Sequence, residues 1–293
     1  MTFTDSASRP QSRKQTNRKP TPRRGKKRSR RSPGWVPNQH GAWFMVIVPP
    51  LVGLALAPAW SSVPIILAWW LGYFAFFAAS VWLRSRMNKR HLPPLAVYGT
   101  GAVIAAVVAL VTAWPLITWG ALYAPLVAIA VYEAWKRRPR SLLSGWSTVL
   151  AASLMTPTLV SASPSASILA QGTTPGAVSA ATLDSWAIAL IFALYFGGSI
   201  FYVKTLIRDF GNRARFLQSV IFHGACTGAA VVATVFYRDW WAVTLVSIVM
   251  LARAWALPRY AQRTGRRIKP GVVGMIDMVV ALLVLAAALI AVR

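Results

Sequence analysis

The side chains best suited to chemistry are five ionisable residues, each near the same end of an apolar stretch. They are His40, Glu133, Asp209, His223 and Asp277. An ionisable side chain in a membrane-spanning helix costs about 2.5–3.5 kcal/mol at the helix centre, so it is a functional hypothesis by default. Their one-sided placement predicts a polar cavity between helices, open to one side of a membrane.

A basic segment after the sixth apolar stretch offers anion-binding chemistry. If the helix continues through it, Lys204, Arg208 and Asn212 lie at i, i+4 and i+8 on one face. Asp209 would then lie beside this face, within reach of Arg213. Such a face would suit a phosphate or diphosphate, by charge and by forked hydrogen bonding.

A similar arrangement is predicted after the second apolar stretch, where Arg84, Asn88 and His91 are spaced at i, i+4 and i+7. Basic residues at the ends of membrane helices also follow from topology alone, so simple charge anchoring is the alternative interpretation. In that case Asp209 only neutralises a neighbouring arginine.

The remaining candidates lie where the chain enters the first apolar stretch and within the last one. Asn38 and His40 would supply neutral hydrogen bonds, and Trp43 follows them closely. Alternatively, His40 is a helix-start residue under an Asn38 cap. Asp277 lies two turns into the last stretch, where it would orient basic side chains or accept protons, with Arg253 as a candidate partner.

The elements that must position these residues are membrane-spanning helices. Of 293 residues, 56% are hydrophobic and only 13% are charged, against about 25% charged in a soluble domain. A spanning helix needs roughly 20 mostly apolar residues. The sequence predicts an all-α, polytopic transmembrane bundle over residues 37–293, with nine spans at 42–58, 63–83, 95–113, 115–133, 142–162, 186–207, 216–237, 239–257 and 272–292.

The charge distribution predicts the orientation of this bundle. Every Lys and Arg except Arg238 and Arg293 falls in the first 36 residues or on the same side of the membrane as those residues. Basic residues favour the cytoplasmic side. The N-terminus is therefore predicted inside and the C-terminus outside, in a cytoplasmic (plasma) membrane.

Residues 1–36 are rich in Ser, Pro, Lys and Arg and are predicted to be a disordered cytoplasmic tail. A solvated tail that fixes the orientation is the simplest interpretation. Docking on anionic lipids is the sharper one, at about 1 kcal/mol per basic residue near the surface. Nucleic acid is disfavoured as a partner despite the net charge of +26, because no aromatic residue interleaves the charges before Trp35.

Several catalytic signatures are absent from the sequence. It contains no P-loop, no glycine-rich dinucleotide motif, no HExxH zinc motif and no nucleophile elbow. The single Cys226 allows neither an intrachain disulfide nor a cysteine-based zinc site. No cofactor is evident, and whether the chain is an enzyme stays open.

Two segments resemble those of one bacterial family. The opening signature of the YwiC-like membrane proteins is similar to Asn38-Gln39-His40-Gly41-Ala42-Trp43 with the following Pro49-Pro50-Leu51-Val52-Gly53. The second landmark of that family resembles the run from Tyr202 to Thr205 and from Arg208 to Arg213. The resemblance covers about residues 35–292 and implies a bacterial membrane protein without assigning a reaction.

The helix count more distantly resembles the UbiA superfamily of intramembrane prenyltransferases. In that superfamily, the segments after spans two and six carry aspartate-rich motifs that hold Mg²⁺ and a prenyl diphosphate. Here residues 84–91 contain no carboxylate and the second segment retains only Asp209, so the resemblance implies a UbiA-like bundle with degenerate motifs. Asp209 with Asn88 and Asn212 is a poor octahedral oxygen set, so Mg²⁺ is disfavoured and no metal ligand is assigned.

The sequence thus predicts a multi-pass membrane protein that binds an amphipathic lipid or isoprenoid phosphate in a cavity open to the cytoplasm. Lys204, Arg208 and Arg84 would contact the anionic group, in a divergent prenyltransferase-like protein that lacks the usual metal motifs. The alternative is a small proton- or cation-coupled transporter. Three residues would then relay protons or coordinate the cation: Asp277, His223 and Glu133.

Overall fold

The chain folds into long α-helices in the computed structural model, which describes residues 34–37, 40–138, 141–169 and 171–293. Within these ranges there are nine long helices and no strand. They are α1 (His40–Leu56), α2 (Ser62–Arg84), α3 (Lys89–Thr112), α4 (Trp114–Trp135), α5 (Leu142–Ser161), α6 (Leu183–Ile207), α7 (Arg213–Phe236), α8 (Arg238–Thr264) and α9 (Pro270–Ile290). A short helix, Pro164–Leu169, lies between α5 and α6.

The nine predicted spans coincide with the nine described helices. Eight of the described helices are long and apolar enough to cross a membrane, and the apolar part of α1, Ala42–Leu56, is shorter. The all-helical, multi-pass membrane class is therefore confirmed. The prediction is least accurate at the end of α8, which continues from the predicted position 257 to Thr264. The start of α3 is also misplaced: the helix begins six residues before the predicted position 95 because Asn88 caps its first turn and the prolines that follow fit there.

Neighbouring helices contribute hydrogen bonds where two prolines interrupt the backbone hydrogen bonding of α1. Because Pro50 has no N–H group, the carbonyl of Val46 loses its donor within the helix. The indole nitrogen of Trp69 in α2 donates to that oxygen at 2.9 Å. The hydroxyl of Thr156 in α5 donates to the carbonyl of Pro49, also at 2.9 Å. The Trp69 bond satisfies the freed carbonyl of Val46, and both bonds fix α1 against its neighbours.

The centre of the bundle is formed by α5 and α6. In their most apolar windows 67% and 56% of residues are buried, whereas the figure for α3 is 6%. Gly53 allows α1 to approach α5 closely, since a Cβ atom there would lie 2.8 Å from the main-chain oxygen of Thr156. The indole of Trp119 donates to the Ser161 hydroxyl at 3.1 Å and ties α4 to α5.

One end of the bundle carries most of the basic side chains. We call it the basic end, and it comprises the connections α2–α3, α4–α5, α6–α7 and α8–α9. Cations lie over aromatic rings there, with Lys136 5.0 Å from the ring of Trp135 and Arg259 4.4 Å from that of Trp255. Residues 34–37 pack near the start of α3, and most of the predicted tail lies outside the described residues.

Candidate ligand-binding site

The predicted anion-binding face on α6 does not form, because the helix ends at Ile207. The chain then turns through Gly211, whose φ of 81° lies in the left-handed region. Asn212 caps α7, and its Oδ1 accepts a hydrogen bond from the main-chain nitrogen three residues later at 3.1 Å. Placing Lys204, Arg208 and Asn212 on one continuous helical face was therefore wrong.

The partner of Asp209 also differs from the prediction. Its Oδ2 lies 3.5 Å from Nε of Arg215, whereas Arg213 was the predicted partner. Both side chains of the observed pair are partly exposed, so the pair contributes about 0–1 kcal/mol. The Asp209 main-chain nitrogen donates to the carbonyl of the half-buried Lys204 at 2.8 Å. A basic turn exists here, but it is a surface feature.

The segment after α2 likewise lacks the predicted helical spacing. Arg84 is the last residue of α2, and its Nε donates to the carbonyl of Ser80 at 2.9 Å. Arg86 and Met87 both have φ of 58°, which turns the chain sharply. Asn88 accepts a hydrogen bond from the main chain two residues later and caps α3. Its role here is structural, and the i, i+4, i+7 arrangement was wrong.

At the entry to α1, the side chain of Trp43 packs against α2. Its ring packs edge-on against Tyr73 and Phe74 of α2, with centroid distances of 6.3 and 5.7 Å. Asn38 and the side chain of His40 lie outside the described part of the chain. Their proposed hydrogen bonds therefore stay predictions.

The shortest salt bridge among the described residues is a largely buried ion pair between α8 and α9. Arg253 Nη1 lies 2.7 Å from Asp277 Oδ1, and the two side chains are 4% and 20% exposed. Ser199 donates to the same Oδ1 at 3.1 Å, and the Tyr195 hydroxyl donates to the main-chain oxygen of Asp277 at 2.8 Å. The guanidinium stacks 4.2 Å from the ring centroid of Tyr202. The suggested pairing of Asp277 with Arg253 is confirmed.

Several buried polar atoms in this region have no hydrogen-bond partner among the described residues. They are Nε and Nη2 of Arg253, the Tyr202 hydroxyl, Nε2 of His223 and the Ser219 hydroxyl. His223 Nδ1 lies 2.7 Å from the Ser219 carbonyl, so Nδ1 carries a proton and Nε2 is an acceptor in the neutral ring. Each unsatisfied buried group costs about 1–3 kcal/mol. These atoms therefore retain hydrogen-bonding capacity that no described residue uses.

A cavity of about 240 Å³ adjoins this cluster between α6, α7, α8 and α9. Its walls are mostly apolar, and Tyr195 and His223 line it on the side of the ion pair. The cavity exceeds the roughly 150 Å³ apolar cavity that takes up benzene. Leu190 and Ala229, which are exposed on the surface of the bundle, also line it. The cavity therefore reaches the lipid-facing surface.

The cavity lies in the half of the bundle away from the basic end. Apart from His223, which lies near the middle of α7, its lining comes from the first halves of α6 and α8 and the second halves of α7 and α9. A packed layer of Tyr202, Leu206, Ala254 and Val273, each at most 2% exposed, lies towards the basic end. The sequence predicted a cavity open at the basic end, and the described cavity has the opposite placement.

Sequence reasoning missed the contribution of α6 to this cluster. Tyr195, Ser199 and Tyr202 are spaced at i, i+4 and i+7, so they share one face of the helix. Three hydroxyl groups on one face of an otherwise apolar span are a readable signal. No three His, Cys, Asp or Glu side chains come together as metal ligands in the described ranges. The prediction about metal stays a prediction.

Comparison with known proteins identifies similar bacterial chains. A family model described as YwiC-like protein matches residues 36–160. The uncharacterized protein YwiC of Bacillus subtilis is 32% identical over 182 residues, which cover 61% of this chain and 70% of that protein. An uncharacterized protein of Haemophilus influenzae is 27% identical over 227 residues, covering 76% and 86%. No solved structure matches the chain.

Proposed function

The chain belongs to the YwiC-like family, and from this premise we propose that it is a bacterial membrane protein that binds an amphipathic lipid. The apolar part of the ligand would occupy the cavity among α6, α7, α8 and α9, and its polar part would contact Tyr195 and His223. One observation carries the proposal: an apolar cavity adjoins a buried ion pair whose surroundings contain unpartnered polar atoms.

The energetic cost of the polar cluster supports a functional role. Arg253, Asp277 and His223 each lie within a helix that is long and apolar enough to span a membrane. An ionisable group at such a position costs about 2.5–3.5 kcal/mol, and apolar side chains of similar volume would avoid that cost. Ligand binding explains the presence of three such groups beside one cavity better than helix packing does.

Access from the bilayer supports a lipid rather than a water-soluble ligand. Leu190 is 53% exposed on a surface that faces lipid, and it also lines the cavity. A ligand dissolved in the bilayer can therefore enter sideways between helices. A water-soluble ligand arriving from the basic end would meet the buried layer around Tyr202 and Leu206.

The orientation of the bundle in the membrane is part of the same proposal. The basic end faces the cytoplasm of the cell, because basic residues favour that side. A cysteine introduced at Asn88, in a Cys226→Ala background, is then labelled only by reagents that reach the cytoplasm. One introduced at Ser167 is labelled by impermeant reagents from outside. The reverse labelling pattern would contradict this orientation.

The basic end would have a separate, electrostatic role. Lys204, Arg208 and Arg84 are the residues to which a lipid phosphate in the cytoplasmic leaflet would bind, and the basic tail would add attraction to anionic lipids. A distant UbiA-like architecture, supported by the nine described helices, would make this a divergent prenyltransferase-like protein without the usual metal motifs. An experimental structure that superposes on that superfamily would test the relationship.

A small proton-coupled transporter is the second candidate. The specific observation in its favour is that His223 and Asp277 belong to one buried polar cluster, where proton relays in membrane proteins are commonly found. Proteoliposomes that acidify in response to a substrate gradient, and lose this response in Asp277→Asn, would favour this candidate.

The lipid-binding proposal is tested by native mass spectrometry of the full chain purified from bacterial membranes. We expect a discrete lipid to remain bound to the wild-type protein. Ala230→Phe fills the cavity and should remove the lipid, whereas Ala225→Phe adds the same volume on the exposed face of the same helix and should not. Identical adducts of bulk phospholipid on all three proteins would contradict the proposal.

A further inference from the structure

The cavity walls carry no formal charge. Among the residues that line the cavity there is no Lys, Arg, Asp or Glu, and the polar members are Tyr195, His223, Cys226, Ser247 and the indole of Trp240. The Tyr195 hydroxyl is already bonded to the main chain of α9, and the Ser247 hydroxyl donates to a carbonyl of its own helix at 2.7 Å. The walls can thus receive a polar group but supply no countercharge.

The nearest ionised groups cancel one another. Arg253 and Asp277 are in contact at 2.7 Å, and neither belongs to the cavity lining. An anionic ligand that approached Arg253 would also approach the carboxylate of Asp277. The pair therefore offers little net attraction to a phosphate, although its dipole and its neighbours polarise the site.

The cations of the basic end are too far away to help. Lys204 follows Tyr195 by nine residues along α6, which is about 14 Å of helix. The side chains of Tyr202 and Leu206, each 0% exposed, occupy the space in that direction. A phosphate held by Lys204 would leave the cavity, so the two sites are separate.

The unpartnered atom of the lining is an acceptor. His223 is 1% exposed, its Nδ1 is bonded to the Ser219 carbonyl, and its Nε2 has no partner among the described residues. Nε2 lies close to Gly198, where a Cβ atom would be 2.9 Å away, so only a glycine admits the ring at this position. Nε2 is itself buried against α6, so the ring must turn slightly towards the cavity before this acceptor receives a hydrogen bond from a ligand. An acceptor beside an uncharged wall selects a ligand that donates a hydrogen bond.

Resting on the lipid-binding function proposed above, we propose that the cavity recognises an uncharged lipid alcohol. The hydroxyl donates to Nε2 of His223, and the first part of the apolar chain fills the cavity. A phosphorylated lipid with the same chain is excluded, because its charge would be buried without a cation beside it. The volume of about 240 Å³ accommodates the head and the first part of the chain, and the rest lies in the bilayer beyond Leu190.

A matched pair of probes tests this assignment. The full chain is placed in phosphatidylcholine nanodiscs that contain equal mole fractions of farnesol or farnesyl phosphate, and the bound fraction is read by native mass spectrometry. We expect farnesol to be retained, and we expect the bound fraction of farnesyl phosphate to be lower by about tenfold or more. Ala230→Phe should abolish farnesol retention and Ala225→Phe should leave it unchanged. His223→Leu should reduce it about three- to tenfold, as expected for one hydrogen bond.

The outcomes separate this inference from the function on which it rests. Farnesyl phosphate retained as well as farnesol, and lost in Ala230→Phe, would overturn the preference for an alcohol and leave lipid binding standing. Retention of farnesyl phosphate that is unaffected by Ala230→Phe but lost in Lys204→Ala would assign the lipid to the basic end. That result would also overturn the preference of the cavity for an alcohol. No adduct with either probe, and no co-purifying lipid, would overturn both.

Discussion

The buried ion pair of Arg253 and Asp277 allows a quantitative test of how the α8–α9 contact is held. Replacing Asp277 with Leu leaves the guanidinium, whose side chain is 4% exposed, without a countercharge. Breaking a buried pair from one side costs about 3–5 kcal/mol. The hydroxyl of Ser199 also loses its acceptor, which adds up to about 1 kcal/mol. Arg253→Met should cost less, because Asp277 is 20% exposed and keeps the Ser199 bond.

The double variant Arg253→Met with Asp277→Leu should recover most of this loss. Two apolar side chains of similar volume carry no desolvation cost, and such replacements are commonly neutral or stabilising. The expected coupling energy between the two positions is therefore about 2–4 kcal/mol.

The assay is reversible unfolding of the purified chain in mild detergent, followed by circular dichroism. For a chain of this size, about 1 kcal/mol corresponds to roughly 2–4 °C in Tm, so Asp277→Leu should lower Tm by roughly 6–20 °C. Ser199→Ala serves as a matched control that removes one hydrogen bond and should lower Tm by only a few degrees. If the double variant loses the sum of the two single losses, the coupling is zero and the reasoning is refuted.

Three further predictions concern the helices that position the site. Gly53→Ala should lower Tm by roughly 2–8 °C because the new Cβ would meet the backbone of Thr156, whereas Gly120→Ala, with open space around it, should leave Tm unchanged or higher. Thr156→Val removes the hydroxyl that bonds Pro49 and should cost about 1 kcal/mol in the same unfolding assay. Asn212→Ala removes the cap of α7 and should cost about 1 kcal/mol, with faster hydrogen exchange confined to the first turn of that helix; an unchanged exchange pattern would contradict the capping role.

The helices could be predicted from the sequence because a membrane imposes a length and a composition on each of them. Runs of about 20 apolar residues are visible without any knowledge of packing, and charge clusters mark the connections between them. The pairing of Asp277 with Arg253 was also accessible, since two opposite charges in adjacent apolar spans have few other partners.

The ends of the helices were harder to predict at the polar connections. The spacing of Lys204 and Arg208 fits a helix, but it does not reveal that Gly211 turns the chain with φ of 81°. The role of Asn212 as a cap depends on this turn. Helical periodicity describes side chains that already lie on a helix, and it carries no information on where the backbone stops.

The cavity could not be predicted because it depends on which helix faces pack together. Its lining includes Ala230, Ala287 and Val284, which resemble many other small residues in these spans. The prediction from the sequence placed the polar cavity from the positions of the ionisable residues alone. The described cavity instead forms where small side chains on four helices meet, and Tyr195 and His223 are among its few polar lining residues.

An experimental density map would show whether a lipid occupies the cavity among α6, α7, α8 and α9. The full chain would be imaged by electron cryomicroscopy in nanodiscs made with lipids from its own membrane. We expect elongated density that enters beside Leu190 and ends within hydrogen-bonding distance of Nε2 of His223. An empty cavity, or one closed by the side chains around it in a map that resolves them, would contradict occupancy by a lipid.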